Sequence, residues 1–84
     1  MRIVKHRLHE GINTIAHFGT LKLVYLDYQD KKLMGWFCET SGTEPDEYQV
    51  YIAVTGETVH DEFRYVTSTQ TAYVGGYYVV HAFD

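Results

Sequence analysis

The chain has 84 residues, one cysteine and a formal net charge of −4. That bounds it to one domain with a small core, and it excludes an intramolecular disulfide or a multi-cysteine zinc site. No apolar run approaches the ~20 residues that span a bilayer, and MRIVKHRLHEG has no apolar stretch behind its charges, so neither a membrane span nor a secretory signal is expected.

No helical spacing is sustained anywhere. Short apolar or alternating runs recur instead, broken by Gly, Asp, Asn and Pro. Residues 3–8 read as a first strand and 14–17 as a second run after the Glu10-Gly11 break. Phe18-Gly19-Thr20 then turns the chain into a strand over 21–28. Residues 29–32 read as a hairpin loop with Asp30-Lys31 as its two-residue turn and 33–39 as the returning strand. Tyr28 then faces Leu33, Leu26 faces Gly35, Tyr25 faces Trp36 and Val24 faces Phe37. Cys38, inside that strand, is expected to be a small core hydrophobe.

Residues 40–47 combine Ser, Gly, Pro and acids and are expected to form a mobile loop. A strand over 48–55 carries Tyr48, Val50, Ile52 and Val54 on one face. A second acidic loop follows over 56–62, then a long strand over 63–74. Gly75-Gly76 is a hairpin signal, because a type I′ turn needs positive φ at both central residues. It would pair Val74 with Tyr77, Ala72 with Val79, Gln70 with His81 and Ser68 with Phe83, and set Tyr73 beside Tyr78 on the other face. The face with Ala72, Val74, Val79 and Phe83 is expected to be core, with His81 satisfied by Gln70 at its margin. The fold expected is all-β: six to seven antiparallel strands in a small barrel or compact sandwich.

Charge is segregated. Residues 1–32 carry six Lys/Arg against three acids, whereas 33–63 carry seven acids and no Lys or Arg. Glu44, Asp46, Glu47, Glu57, Asp61 and Glu62 are therefore the candidate face for docking on a basic protein partner. Tyr65, Tyr73 and Tyr78, with Arg64 or Lys5 as a phosphate contact, are the alternative: a stacking site for a nucleotide-like ligand, or an oligomer contact.

Catalytic readings are weak. His6 and His9 fall on opposite faces of a strand, and His60-Asp61-Glu62 are adjacent residues that seldom converge on one ion, so no metal or cofactor is expected. Neither Ser41 nor Ser68 has a nucleophile elbow, and no glycine loop opens a helix to hold phosphate, so no enzyme is expected. Nucleic-acid binding is disfavoured by the acidic total, with Arg2, Lys5, His6, Arg7 and His9 as a local basic patch.

The C-terminal segment resembles a family of small, uncharacterised all-β proteins found mostly in bacteriophages and prophages. The residues that carry it are Arg64-Tyr65-Val66, Gln70, Gly75-Gly76, His81 and Phe83, with Asp84 for the family's terminal glutamate. Thr67-Ser68 replaces its Gly-Thr, and Val80 its aromatic before the histidine. The resemblance implies a phage-encoded accessory protein of the bacterial cytoplasm, in keeping with a lone thiol. The expected function is a non-enzymatic inhibitor of a host defence component, such as a CRISPR effector. A homo-oligomeric sponge for an immune nucleotide and a virion assembly protein are the alternatives; a monomer or small homo-oligomer fits the first two.

Overall fold

The computed structural model describes residues 1–73 and 76–84, with the backbone alone at 72 and 73. Five strands, β1 (Arg2–Arg7), β2 (Gly11–Gln29), β3 (Lys32–Val54), β4 (Tyr65–Tyr73) and β5 (Gly76–Phe83), join one antiparallel sheet curled into a half-barrel. β3 is its spine. β2 pairs along one edge of β3, while β1 and β5 share the other, against residues 34–39 and 51–54 respectively. β4 pairs with β5 and leans on β2 without joining its ladder, Thr69 Oγ1 reaching Asp27 Oδ1 at 3.4 Å.

The expected six to seven strands are corrected to five because two pairs of runs merge. The runs at 14–17 and 21–28 are one strand: Phe18-Gly19-Thr20 makes a register shift where a turn was expected. Those at 33–39 and 48–55 are also one, and the expected loop at 40–47 is β-structure, pairing with β2 at Thr40 and again from Pro45 onward. β2 offers hydrogen-bonding partners on either side of residues 41–44, which outweigh the segment's turn-forming composition.

A 23-residue strand would reach ~76 Å if straight. The longest dimension of the molecule is 47 Å, so β2 and β3 bend together. Glycine makes the bend possible. Gly19 has φ +77°, and a Cβ there would lie 2.2 Å from the Thr40 carbonyl oxygen. One on Gly42 would lie 2.5 Å from Gly19 Cα. The two backbones touch where no side chain fits.

The β2–β3 turn is as expected, with Asp30 and Lys31 at φ 51° and 65°, both left-handed. Tyr28 faces Leu33, Leu26 faces Gly35 and Tyr25 faces Trp36. Phe37, however, faces Leu23 and not Val24, because a bulge lies between Leu23 and Tyr25. The bulge has a packing reason. Leu23 and Leu26 are three apart, and only an extra residue between them lets both face inward.

The core gathers Leu8, Ile15, Leu21, Leu23, Leu26, Leu33, Phe37, Val50, Ile52, Val80 and Ala82, with Tyr48 and Val54 packed against it. The face expected for 48–55 is thus the core face. Phe37, Val50, Ile52 and Val80 are fully buried, and each such side chain contributes about 1.5–3 kcal/mol. Cys38 is corrected: Phe37 takes the inward position, so Cys38 is half-buried on the outer face, between Ile3 and Lys22.

The β4–β5 register is shifted by two from the expected one. Ser68 faces His81, Gln70 faces Val79, Thr71 faces Tyr78, Ala72 faces Tyr77 and Tyr73 faces Gly76. The expected turn residue Gly75 and the pairing of Val74 lie outside the described residues. The expected core face is also corrected. Ala82 faces the core residue Ile52 across β3, so Val80 and Ala82 point inward, while Val79 and Phe83 are half-buried on the other side.

Candidate functional site

Beside the Gly19/Gly42 crossing, β2 and β3 present an open depression. Cross-strand pairing sets Phe18 against Pro45, His17 against Asp46 and Ala16 against Glu47, and these six residues line it. Glu44, Asp46 and Glu47 are exposed, as is Phe18 with 59% of its surface open. The depression therefore holds two exposed acids, Asp46 and Glu47, and two exposed apolar side chains, Phe18 and Pro45. Asp46 is oriented by the Glu47 backbone N–H, which donates to its Oδ1 at 2.8 Å. His17 Nδ1 is buried and has no hydrogen-bond partner, a state that costs about 1–3 kcal/mol.

Glu47 also borders a second depression of about 480 Å³, shared with Tyr48, Gln49, Glu62, Phe63, Arg64 and Asp84. The fold thereby joins one acid of 40–47 to one of 56–62. Its floor is firmly tied. Arg64 and Asp84 exchange backbone hydrogen bonds of 2.8 and 2.9 Å. The Tyr48 hydroxyl donates to Asp84 Oδ2 at 2.5 Å and accepts from the Leu23 N–H at 3.2 Å. Burial, and then the Asp84 acceptor, push the Tyr48 phenol up to about 12.

The other acids are placed differently. Glu57 folds back, accepting from the Tyr51 hydroxyl and the Val54 N–H, and the hydrogen bond to Glu57, ahead of desolvation and the carboxylate's charge, pushes the Tyr51 phenol up. Asp61 is exposed in the loop. Among the described residues the only ion pair is Arg2–Glu39, at 2.7 Å, so none of the six candidate acids is neutralised by a cation.

The candidate tyrosines do not share one surface. Tyr65 is exposed, its ring edge on Phe83 at 5.8 Å and its hydroxyl 2.9 Å from Ser68 Oγ. Tyr78 lies across from Thr71, near the other end of the β4–β5 ribbon and on the Val80 side. That is ~20 Å from Tyr65 along the ribbon. The side chain of Tyr73 lies outside the described residues. Arg64 and Tyr65 share a small depression with Lys22, Val66 and Asp84. Lys22 belongs to no sequence-derived site, although the inward leucines on either side of it announce that it points out. Lys5, the other candidate phosphate contact, lies on β1.

His81 is satisfied at both nitrogens. Ser68 Oγ lies 2.6 Å from Nδ1 and Thr55 Oγ1 lies 2.9 Å from Nε2, so the ring stitches β4, β5 and the end of β3 together. The expected partner Gln70 is replaced by Ser68 through the two-residue register shift. Ser68 and His81 have the spacing of a nucleophile–base pair, but a hydroxyl stands where a triad holds its carboxylate. Among the described residues no three His, Cys, Asp or Glu gather to hold a metal. His6 packs edge-on against Phe37, and His60 Nδ1 accepts from the Glu62 N–H.

Residues 1–84 match the family described as a domain of unknown function, DUF7352, and the chain belongs to it. No curated protein matches the chain, and no solved structure does. No helix among the described residues is long and apolar enough to cross a membrane.

Proposed function

We propose that this DUF7352 chain is a non-enzymatic accessory binding protein of phage type that acts in the bacterial cytoplasm. It occupies a host defence component, such as a CRISPR effector, through the acidic surface at the sheet bend. One observation carries this reading. Exposed Phe18 and Pro45 share one depression with Asp46 and Glu47, Glu44 directly precedes Pro45, and among the described residues no cation is paired to these acids. A basic groove that ordinarily holds nucleic acid is the complementary surface, and charge steers such an encounter.

The test is capture of host proteins and small molecules on the tagged protein from a bacterial lysate, at low and high salt, read by mass spectrometry. A host protein held at low salt and released at high salt is the expected result. No retained protein at either salt contradicts it.

A second reading has one observation in its favour: Lys22, Arg64 and Tyr65 meet at one depression, two cations beside an exposed ring. A nucleotide-like signal held there would make the chain a sponge. A retained nucleotide with no protein is its signature in the same experiment.

A further inference from the structure

Five of the chain's seven Lys/Arg lie within residues 5–32: Lys5, Arg7, Lys22, Lys31 and Lys32. Strand alternation sorts them. Val4, Leu23, Leu33 and Phe37 face the core, so Lys5, Arg7 and Lys32 face outward, as does Lys22 beside the inward Leu21 and Leu23. Trp36 stands at the centre of this outer face. Lys5, Trp36 and Tyr25 form one row across β1, β3 and β2, with Lys5 Nζ 5.8 Å from the Trp36 ring centroid. The Tyr25 ring lies 5.3 Å from that of Trp36, tilted 56°.

Both anchors are braced. Lys5 Nζ donates to Gln29 Oε1 at 2.9 Å, and the Tyr25 hydroxyl donates to Asp27 Oδ2 at 3.2 Å, yet Tyr25 keeps 55% of its surface open. Asp27 on this face is already bound by Tyr25, by the Tyr28 N–H at 2.8 Å and by Thr69, and Asp84 shares the depression that Lys22 lines.

We propose that this face binds single-stranded nucleic acid, with bases stacking on Tyr25 and Trp36 and phosphates meeting Lys5, Arg7, Lys22 and Lys32. Flat rings among spaced cations match a polymer that alternates bases with phosphates. An acidic peptide would use the cations and leave the rings idle, and a duplex hides its bases. The net charge of −4 does not oppose binding here, because it averages this face with the acids of residues 44–62. Separate patches are screened from one another beyond about 8–10 Å at ordinary ionic strength. The proposal is independent of the docking surface at the bend.

Trp36 is the chain's one tryptophan, so its fluorescence reports on this face. The whole protein is titrated with oligo(dT), with oligo(U) and with base-free polyphosphate, alongside anisotropy of the labelled oligonucleotides. Saturable quenching by an oligonucleotide, absent with polyphosphate, is expected. Its log–log salt slope should be about −2 to −3, at roughly 0.7 per phosphate contact. Lys5→Gln and Lys22→Gln should each flatten that slope by about 0.7. Tyr25→Ala should weaken binding about ten-fold or more, with the strand circular dichroism unchanged. No quenching, equal response to polyphosphate, or unaltered binding by Tyr25→Ala would overturn the proposal. So would a Trp36 change that follows protein concentration without any oligonucleotide, since a second copy would then cover the face.

Discussion

Tyr48 joins the core to the C-terminal residue through one hydroxyl, and its ionisation gives the first prediction. The neutral phenol is favoured in the folded chain, with a pKa near 12 against an ordinary 10. Its contribution to stability is therefore full below pH 10 and lost as pH rises from 10 toward 12. Tyr48→Phe should lower stability by about 1–2 kcal/mol at neutral pH, since Leu23 N–H loses its acceptor. The variant should also lose less of its stability over that alkaline window, which urea unfolding at a series of pH values measures. His81 gives the second. His81→Gln should cost about 1–2 kcal/mol by breaking the Ser68 and Thr55 contacts, while partner capture persists. A variant of wild-type stability that captures nothing would make His81 a functional residue. That His81 is held within the fold could be read from the hairpin pattern of VGGYYVVHAFD. That Ser68 holds it could not, because a two-residue slip keeps every side chain on its face and changes only the partner.

The long β2–β3 hairpin depends on the crossing of two glycines. Gly19→Ala or Gly42→Ala drives a Cβ into backbone, and each should destabilise by about 3 kcal/mol or more, or prevent folding. Gly11 is the control. Its φ is +90° but nothing lies within 4 Å of an added Cβ, so Gly11→Ala should cost only about 1 kcal/mol. Thermal unfolding of the three variants checks the order. Alternation and the Asp30-Lys31 turn announced the closed end of this hairpin, from Tyr28 with Leu33 to Tyr25 with Trp36, and none of its pairing beyond the bulge. Its length stayed hidden, because a glycine that permits a crossing and a glycine that makes a turn look alike until the facing strand is known. The Val24 bulge left a trace, since Leu21, Leu23 and Leu26 cannot all share a face under strict alternation.

At the scale of the whole molecule, charge segregation was plain in the sequence, six Lys/Arg in residues 1–32 against none in 33–63. Which acids act together was not. The bend brings Glu47 toward Glu62, while Glu57 is spent on Tyr51 and Val54. Glu57→Gln should therefore leave partner capture unchanged and lower stability slightly, a contrast that separates the acids at the bend from the others. The outer basic face was equally hard to see, since it depends on which residues of three strands lie in one row. The central claim is that the acids at the bend recruit a basic host protein. Its most direct test is to repeat the low-salt capture with Glu44, Asp46 and Glu47 all changed to Lys, after circular dichroism and unfolding confirm the fold. The account predicts that the salt-sensitive partner of the wild-type protein is lost from the variant. Undiminished capture of that partner by the folded variant would contradict it.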